Sequence, residues 1–545
     1  MDRYKSQSLI LNEQPLLFEH YLRDFSKVSE YFVWHPEKDL EKCARIRLTE
    51  YQNREKIVDI LRIQNSAWKA SPQTLKNIDK LMDPGTLAVV TGQQAGIFGG
   101  PLYTVYKIIQ CIKTAEYVEK RYKGQKCVPV FWMEVGDSDF REINHINILN
   151  LKNELMRFSL SEDSEDQRSV YLRSLSTDLL QIYEHLAAEF PQNDFRDNIL
   201  EQLKNIYAPG KNLADAFADW IHSILKNYGV IIINPTEPEV AKLSHPLLTK
   251  ALKGWRQLNK LFEDQNRKLT MRGYHTQISL DPQQTLLFYR AEQDRRCRLD
   301  GEENHDFILK GSQKTAKITE NFLAEEMKQS ADKFTPNVAF RPIVQDYLLP
   351  SIIYIGGPAE ISYAAQLLPL YEYFNVTPAV FHPRIRATLI EEKVDRSVEK
   401  LGLKLADFFK QRNKIIDYQI DQNKDQKIDD SFHVVEMHLQ EEMQTLKELL
   451  IKIDPTLNTL IDKTGQSMRD SLNRLQNKVG QAYQRKMQIE INQMNKVLVN
   501  LFPDDKFQER VLNIVQYLVK YGPEFIPKLY ETLDHENWDH QLIYL

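Results

Sequence analysis

A strand, a glycine-rich turn and a helix follow one another in residues 87–109, and this order constrains the fold more than any other feature. The apolar residues 87–90 (LAVV) predict a buried strand, and residues 102–109 (LYTVYKII) have helical spacing. The turn between them, residues 91–101, reads TGQQAGIFGGP. Glycine lets a backbone come close to a ligand, and a helix N-terminus offers free N–H groups to an anion. The segment therefore predicts a ligand cradle after a buried strand.

Other apolar runs extend this α/β pattern. Residues 128–133 (VPVFWM), 228–235 (YGVIIINP) and 379–381 (AVF) predict further strands, and a helix is predicted over residues 101–120. Alternating strands and helices are typical of a doubly wound parallel sheet. Ligands of such sheets bind at the carboxyl ends of the strands, so polar residues that follow these runs are candidates for a functional site.

The glycine turn contains candidate binding residues but matches neither common nucleotide motif. No G-x-x-x-x-G-K-[ST] sequence is present, because Pro101 and Leu102 follow Gly100, and the spacing is not G-x-G-x-x-G. The two glutamine amides offer both donors and acceptors to a ligand. An alternative is a tight strand-to-helix connection that binds nothing. The candidates for binding substrate or nucleotide here are Gln93, Gln94, Gly96, Gly99 and Gly100.

Two aspartates follow the second strand. Asp137 and Asp139 are two residues apart, so an extended chain would point both carboxylates the same way. Such a pair could bind an amine, a sugar hydroxyl or a divalent metal, or share a proton. His145 lies six residues beyond Asp139, next to Asn144, and both are candidates for the same site. Alternatively, the aspartates cap the next helix and the histidine is structural.

A second glycine turn, residues 354–358 (YIGGP), also precedes a predicted helix. Three polar residues on that helix recur at three-residue steps, which predicts either a substrate wall or an ordinary solvated face. An arginine after the last strand could clamp a carboxylate, or belong to a hinge into the next domain. The candidates in this part of the chain are Gln345, Asp346, Tyr354, Gly356, Gly357, Glu360, Tyr363, Gln366 and Arg384.

Two longer polar segments, residues 150–215 and 245–335, are predicted insertions with smaller cores. The second contains strand-like runs at residues 277–280 and 285–289. It also contains a short basic run, residues 294–298 (DRRCR), whose charge is offset by nearby acidic residues. That run predicts a solvated hairpin rather than a binding site.

A change in composition after residue 386 predicts a helical domain over residues 387–503. Apolar residues recur at alternating steps of four and three, as in a coiled-coil seam. A break near Asp454 and Pro455 predicts an antiparallel arm that forms a dimer; a bundle packed inside one subunit is the alternative. Residues 504–545 are predicted to pack back on the core formed by residues 1–386. The seam residues are Leu439, Met443, Leu446, Leu450, Ile453, Met468, Leu472, Leu475, Val479, Ala482, Met487, Ile491, Met494, Leu498 and Leu501.

Composition excludes several classes of function for this 545-residue chain. A net charge of -5 gives no global field for nucleic acid or an anionic membrane. No apolar run reaches the roughly 18–20 residues of a membrane helix, and no signal-type segment follows the N-terminus. The four scattered cysteines form no C-x-x-C pair, so no metal signature is present. These features predict a cytoplasmic protein with reduced thiols that binds neither nucleic acid nor membrane.

Several blocks together resemble the BshC family of bacillithiol synthesis, which adds cysteine to glucosaminyl-malate. The resemblance spans nearly the whole chain, and its first block is the most specific. Ser138 departs from the Asp-His-Asp pattern expected of the family. The matching blocks are residues 90–104 (VTGQQAGIFGGPLYT), 137–140 (DSDF), 142–145 (EINH), 341–342 (RP), 345–350 (QDYLLP), 356–363 (GGPAEISY), 383–384 (PR), 501–503 (LFP) and 508–510 (QER).

The resemblance implies a Rossmann-like parallel-sheet core similar to class I aminoacyl-tRNA synthetases, with connecting-peptide insertions and an α-helical coiled-coil domain that forms a homodimer. It implies a ligase that makes an amide bond. ATP or ADP is the candidate cofactor, although neither H-I-G-H nor K-M-S-K-S is present.

Position and charge then suggest roles for the candidates within this reaction. Asp137 and Asp139 would orient or deprotonate the attacking amine, with His145 as assisting base. Gln93, Gln94 and the glycine amides would hold a carboxylate or phosphate, and Arg384 would meet the malate carboxylates. The alternative function is a nucleotide-binding coiled-coil interaction or regulatory protein without ligase activity.

Overall fold

The computed structural model describes residues 4–11, 14–122, 124–163, 165–302, 306–311, 317–412, 414–422 and 426–545. The strands are β1 (Lys5–Leu9), β2 (Thr86–Gln94), β3 (Lys126–Glu134), β4 (His145–Leu149), β5 (Leu155–Ser159), β6 (Ile231–Ile233), β7 (Gln284–Arg290), β8 (Arg296–Gly301), β9 (Asp306–Lys310), β10 (Lys317–Thr319), β11 (Phe334–Pro336), β12 (Ser351–Gly356), β13 (Val380–Pro383), β14 (Arg386–Ile390) and β15 (His540–Tyr544).

The α-helices are α1 (Leu16–Arg23), α2 (Leu40–Glu50), α3 (Arg54–Ala67), α4 (Pro72–Lys80), α5 (Leu102–Arg121), α6 (Leu179–Glu189), α7 (Asp194–Ile206), α8 (Leu213–Ile224), α9 (Pro238–Lys253), α10 (Trp255–Met271), α11 (Glu320–Gln329), α12 (Arg341–Leu348), α13 (Pro358–Phe374), α14 (Glu392–Lys400), α15 (Leu405–Lys410), α16 (Ile415–Gln422), α17 (Gln426–Ile451), α18 (Leu457–Lys486), α19 (Gln488–Leu501), α20 (Val515–Tyr521) and α21 (Phe525–Thr532).

A five-stranded sheet in the order β13-β12-β2-β3-β6 forms the centre of the fold. Every pairing in it is parallel, and its apolar strands are buried on both faces. The predicted strands at residues 87–90, 128–133, 228–235 and 379–381 correspond to β2, β3, β6 and β13, so the parallel α/β core is confirmed. From β2 the chain builds β3 and β6 on one side and β12 and β13 on the other. The carboxyl end of β2 is therefore the topological switch point at which such sheets bind ligands.

The insertions build smaller sheets beside the core. Strands β4 and β5 form an antiparallel hairpin, and β7–β11 form an antiparallel sheet in the order β10-β9-β8-β7-β11. The strand predicted at residues 277–280 is wrong, because a side chain occupies the place of a partner strand. The Gln366 carboxamide accepts from the N–H groups of Gln277 and Ile278 and donates to the Ile278 carbonyl.

The chain divides into two compact units. Unit 1 comprises Met1–Leu389 and Pro503–Leu545, and unit 2 comprises Ile390–Phe502. Residues 386–390, predicted to begin the helical domain at 387, are instead strand β14, in a sheet with β15 and β1. The Gln508 side chain accepts from the Leu389 N–H and donates to the Leu389 carbonyl, which holds this edge in an extended conformation.

Within unit 2, α17 and α18 pack as an antiparallel pair. Lys447 forms an ion pair of 2.7 Å with Asp462, and Met443 lies against Gly465. The residue numbers of the contacting pairs therefore increase along one helix and decrease along the other. The chain reverses between Ile451 and Leu457, where the break near Asp454 and Pro455 was predicted. Asp454 Oδ1 accepts from the Thr456 N–H and hydroxyl groups and stabilises this turn.

Candidate active site

A cavity of about 470 Å³ opens at the carboxyl end of the central sheet, within the usual size range for small-molecule sites. It lies at the switch point, because β2, β3 and β12 and the helices that follow β2 and β12 all contribute to its wall. The lining residues are Gly92, Gln93, Gln94, Tyr103, Lys107, Trp132, Glu134, Glu142, Val338, Arg341, Tyr354, Gly357, Pro358, Ala359, Glu360, Tyr363, Arg384 and Arg510.

An ion pair between a buried lysine and a partly buried glutamate forms one wall of this cavity. Lys107 on α5 is 1% exposed, and its Nζ lies 2.5 Å from Glu360 Oε2 on α13. The ammonium also donates to the Gly92 carbonyl and to Gln93 Oε1, so all three of its N–H donors are used. Burial lowers the pKa of Lys107, and the carboxylate opposes that effect. The lysine therefore fixes the strand end to the helix rather than acting as a free nucleophile.

Glu360 is held as a carboxylate by the groups around it. Its Oε2 also accepts from the Gly357 N–H at 2.7 Å, and its Oε1 accepts from the Tyr354 hydroxyl at 2.6 Å. Burial alone would raise the pKa of this group, but Lys107 and these hydrogen bonds lower it below its ordinary value. The second glycine turn thus offers its Gly357 amide to a protein carboxylate rather than to a ligand.

Arg341 begins α12 and is 8% exposed. Its Nη1 donates to Gln345 Oε1 at 3.0 Å and its Nη2 donates to the Tyr354 hydroxyl at 3.1 Å. These are uncharged partners, and no carboxylate of the described chain lies within ion-pair distance of the guanidinium. Burial and the nearby Arg341 guanidinium act in opposite directions on the pKa of Tyr363, which is raised overall. The cavity thus contains a buried positive charge that forms no ion pair within 4 Å with a carboxylate of the described residues.

Glu134, the last residue of β3, supplies a carboxylate on the same wall. Its Oε1 accepts from the Gly136 N–H at 3.1 Å. Burial raises its pKa above the ordinary glutamate value, although Arg341 works against that rise. Because Trp132 and Glu134 are two residues apart on a strand, their side chains lie on the same face of the sheet.

Arg384 also lines the cavity, but Glu509 already balances its charge. The two side chains are 5% and 2% exposed, and Nη2 lies 2.6 Å from Oε1. The other Glu509 oxygen accepts from the Ala387 N–H at 2.7 Å. The guanidinium also lies over the Tyr103 ring, with 5.1 Å between its Cζ and the ring centroid. The predicted carboxylate clamp is therefore paired within the protein.

The first glycine turn is a packed connection, not the predicted anion cradle. The N–H groups of Gly96, Gly99 and Gly100 donate to the carbonyls of Gln94, Gly96 and Ile97, respectively. The turn is buried, and a Cβ on Gly96 would lie 2.9 Å from the Gly100 Cα. Glycine is required here because two backbone segments touch, which was the alternative interpretation.

Gly99 offers a test of this packing. Its φ is +92°, and a Cβ would lie 3.2 Å from the Trp220 indole, so we expect Gly99→Ala to reduce the free energy of unfolding by about 2–4 kcal/mol. Gly210 is the matched control, because its φ is +85° and nothing lies within 4 Å of its would-be Cβ. Gly210→Ala should cost only the backbone contribution of about 1–2 kcal/mol. Equal losses in urea titrations of the two variants would contradict the packing role of Gly99.

The predicted catalytic aspartates do not line the cavity and do not share partners. Asp137 Oδ1 accepts from Arg296 Nη1 at 3.1 Å, and its Oδ2 lies 3.5 Å from Gln94 Nε2. Asp139 is exposed and accepts from the Arg141 N–H at 3.2 Å, where it caps a short 3-10 turn. The two carboxylates have different partners, so the two-residue spacing does not make them a pair.

His145 also lies away from the cavity. Its Nδ1 is 3.1 Å from both the Arg141 carbonyl and Arg157 Nη2. Burial and the positive charge of Arg157 lower its pKa. Neighbouring Asn144 donates to the Leu160 carbonyl. The predicted assisting base and binding amide therefore organise the β4–β5 hairpin.

Three candidates near α12 and α13 act within the protein interior. Gln345 accepts from Arg341 and thus supports the cavity from behind. Asp346 Oδ2 accepts from the Tyr371 hydroxyl at 2.8 Å and the Ala379 N–H at 3.0 Å, which ties α12 to α13 and β13. Gln366 does not share the cavity wall with Glu360 and Tyr363, since its amide is engaged with residues 277–278.

Gly356, another predicted binding residue, does not line the cavity. Its carbonyl accepts from the Arg384 N–H.

Several residues that line the cavity were not among the predicted site residues: Tyr103, Lys107, Trp132, Glu134, Glu142, Arg341 and Arg510. Two of them carried a recognisable signal. Lys107 interrupts the apolar face of a helix, and Glu134 ends an apolar strand, both directly at the predicted ligand edge. In the basic run, interpreted as solvated, Arg296 instead pairs with Asp137 and stacks on Phe288.

The described residues contain no cluster of three or more His, Cys, Asp or Glu side chains that could hold a metal ion. Every helix among them is too short or too polar to span a bilayer.

Comparison with known families gives two matches that together cover almost the whole chain. Residues 4–385 match the N-terminal Rossmann-like domain of the bacillithiol biosynthesis protein BshC, and residues 387–545 match its C-terminal coiled-coil domain. A provisionally named cysteine ligase BshC from Salinibacter ruber is 31% identical over 99% of this chain and 98% of its own length. A relative of the same name from Chlorobaculum tepidum is 30% identical over 90% and 88%.

One solved structure also aligns with the chain. It is a provisionally named arginyl-tRNA synthetase from Campylobacter jejuni, covering 86% of this chain and 98% of its own at 10% identity. The TM-score is 0.24, which is too low to carry an argument about fold or site.

Proposed function

The chain belongs to the BshC family of bacillithiol biosynthesis, whose relatives are named cysteine ligases, and from this we propose that it joins the carboxyl group of cysteine to the amine of glucosaminyl-malate. The observation that supports this most is the 470 Å³ cavity at the switch point, with an unpaired guanidinium and an unpaired carboxylate on its wall. A substrate that carries both charges would neutralise the two groups together.

The proposed reaction forms an amide. The amine nitrogen bonds to the carboxyl carbon of cysteine and gives up a proton, and one carboxyl oxygen leaves on an activating group. We propose that a nucleoside triphosphate such as ATP supplies the activation. The glycine turns do not fit its phosphates, because their amides are bound within the protein. Anionic groups in this cavity would instead meet the side chains of Arg341 and Arg510, which lack carboxylate partners within the described chain.

The direct test is a mass-spectrometric assay of the purified protein with cysteine and glucosaminyl-malate. We expect a product of the mass of the amide when ATP is present and none when ATP is omitted. Product without any nucleotide would overturn the ATP step but not the ligase. Absence of product under every nucleotide condition would count against the ligase and favour a nucleotide-binding interaction or regulatory protein.

We assign the malate carboxylates to the end of the cavity near Tyr103, where Arg510 is exposed. Because a charged hydrogen bond contributes about 1.5–3 kcal/mol, we expect Arg510→Ala to raise the KM for glucosaminyl-malate roughly tenfold or more. The KM for cysteine should change little. Arg272→Ala is the control, since this exposed arginine lies outside the cavity. An unchanged KM for glucosaminyl-malate in Arg510→Ala would remove that assignment.

We propose that unit 2 binds a second copy of the chain. Three predicted seam positions on these helices, Leu446, Met468 and Leu475, are 45%, 46% and 54% exposed in a single chain, so packing of α17 on α18 does not bury them. Other large apolar side chains on these helices are exposed as well: Val434, Val435, Met437, Leu449 and Leu460. A seam that one chain leaves uncovered fits the self-complementary interface of a homodimer.

Leu475→Glu is expected to weaken dimerisation about 100-fold or more, because each copy loses an apolar contact of about 1.5–3 kcal/mol. Light scattering at micromolar concentration would then give the mass of a monomer. Gln476→Glu adds the same charge at the adjacent position and should leave the mass of the dimer unchanged. A monomeric wild-type protein, or a Leu475→Glu variant that stays dimeric, would contradict this interface.

We further propose that the protein works in the cytoplasm. Cys43, Cys111, Cys127 and Cys297 are all buried free thiols. Burial raises the pKa of each of them, so the reactive thiolate form is disfavoured. Free thiols and a thiol substrate both suit a reducing compartment.

A further inference from the structure

A small side pocket adjoins the cavity, and the two share Trp132, Glu134 and Arg341. Its volume is about 30 Å³. Since roughly 10–15 Å³ is needed for one water-sized group, the pocket has room for about two non-hydrogen atoms. Apolar side chains of Ala241, Leu248, Phe334, Pro336 and Val344 form much of its wall. The pocket is therefore the size of a very short side chain.

The charges beside this pocket are arranged differently from those in the rest of the cavity. Lys107 pairs with Glu360 and Arg384 pairs with Glu509, so those charges are balanced inside the protein. Arg341 and Glu134 have no ion-pair partner within 4 Å among the described residues; their hydrogen bonds go to uncharged groups. A buried charge without a partner is costly, and a ligand of opposite charge relieves that cost.

An orphan donor lies at the same place. The Trp132 side chain is 1% exposed, and its Nε1–H has no hydrogen-bond acceptor among the described residues. Its Cδ1 would lie 3.6 Å from a Cβ on Gly92, a residue that also lines the cavity. A buried indole N–H ordinarily has a partner, so an acceptor supplied by a ligand would complete this group.

We propose that Glu134, Arg341 and Trp132 form the subsite for the cysteine substrate. The α-ammonium of the amino acid lies on the Glu134 carboxylate, and its carboxylate receives N–H groups from Arg341 and Trp132. Cβ and Sγ, the two non-hydrogen atoms of the side chain, enter the side pocket. The carboxyl carbon then faces the wider cavity, from which the amine of the second substrate approaches. This assignment rests on the proposed ligase function and names the part of the site that selects the amino acid.

Ligand binding tests the assignment without the second substrate. In calorimetric titrations of the full-length protein, we expect cysteine to bind at least about tenfold more tightly than each of three analogues. Cysteamine lacks the carboxylate, N-acetylcysteine lacks the ammonium, and methionine has four side-chain atoms instead of two. Equal affinity for cysteine and any one analogue would overturn the contact which that analogue removes.

Variants supply a second readout that a structural role would not produce. Glu134→Gln should weaken cysteine binding roughly tenfold and leave N-acetylcysteine unchanged, because that ligand has no ammonium to lose. Val344→Ala should enlarge the pocket and shift the ratio of cysteine to methionine affinity toward methionine by about tenfold or more. Glu237→Gln is the control, since this carboxylate lines neither cavity. An equal loss for cysteine and N-acetylcysteine in Glu134→Gln would refute the ammonium contact.

The two proposals fail in different ways. Suppose that cysteine binds selectively and that Glu134→Gln weakens the binding of cysteine but not of N-acetylcysteine, yet no amide product forms in the mass-spectrometric assay. The ligase proposal would then be wrong and the subsite proposal would stand. If wild-type protein makes the amide but neither Glu134→Gln nor Val344→Ala changes ligand selectivity in the expected way, the subsite proposal would be wrong and the ligase proposal would stand.

Discussion

Replacing Lys107 with methionine should reduce the free energy of unfolding of unit 1 by about 2–4 kcal/mol, because it leaves the partly buried Glu360 carboxylate without its cation. Urea unfolding followed by tryptophan fluorescence measures this loss, since all six tryptophans lie in unit 1. The double variant Lys107→Met/Glu360→Gln removes both charges and should recover much of the stability. Lys242→Ala breaks an exposed pair with Glu239 and should cost at most about 1 kcal/mol.

The pH dependence of the same pair has a defined sign. The pKa of Glu360 is lowered in the folded protein from an ordinary value of 4.5. Its contribution is therefore complete above pH 4.5 and is lost as pH falls below 4.5 through the lowered pKa. The stability difference between wild type and Glu360→Gln should shrink over that acid range. A difference that stays constant from pH 6 to strongly acidic pH would show that the carboxylate is not charged in the fold.

Removing Glu509 should reduce the free energy of unfolding by a similar amount, but here a buried cation loses its partner. Glu509→Ala leaves the buried Arg384 guanidinium without its carboxylate and the Ala387 N–H without its acceptor, with an expected loss of about 3–5 kcal/mol. The residue belongs to the C-terminal segment of unit 1, so this segment should become the first to exchange its amide hydrogens. Hydrogen exchange measured by mass spectrometry would detect that as faster deuteration of α20, α21 and β15.

Two variants make this second test specific. Glu509→Gln keeps the shape and one acceptor oxygen, so the loss should be smaller than in Glu509→Ala. Glu531→Ala changes a carboxylate on α21 of the same segment that has no ion pair within the described residues, and should leave exchange unchanged. If Glu509→Ala retains wild-type protection throughout the C-terminal segment, the pair is not what holds that segment on the core.

The parallel core was predictable because its strands are buried on both faces and read as unbroken apolar runs. Residues 87–90 and 128–133 could hardly form anything else between turns and helices. The failed strand at residues 277–280 shows the limit of this argument. A side chain on a distant helix, Gln366, satisfies the backbone there, and no local pattern records such a partner.

Only some of the predicted site residues line the cavity at the carboxyl edge of the sheet. Gln93, Gln94, Tyr354, Gly357, Glu360, Tyr363 and Arg384 line the cavity, whereas Asp137, Asp139 and His145 do not. The topology of the sheet brings the carboxyl ends of neighbouring parallel strands to one edge. The candidates on β2 and β12, namely Gln93, Gln94 and Tyr354, therefore line the same cavity. In the loop after β3, Asp139 caps a short 3-10 turn that leads into the β4–β5 hairpin, while Asp137 pairs with the distant Arg296. Contacts between residues far apart in the sequence thus determine where these side chains lie.

The pairing of β1 with β15 bears on how the protein is made. Strand β1 begins at Lys5, and its partner ends at Tyr544, so this pair of strands forms only after residue 544 has been synthesised. The Arg384 guanidinium likewise lacks its ion-pair partner until Glu509 has been synthesised, and Glu509 follows the whole of unit 2 in the chain. A nascent chain stopped at Leu389 would expose the edge of β14 and an unpaired buried arginine. Unit 1 therefore completes its fold only after the whole of unit 2 has been synthesised.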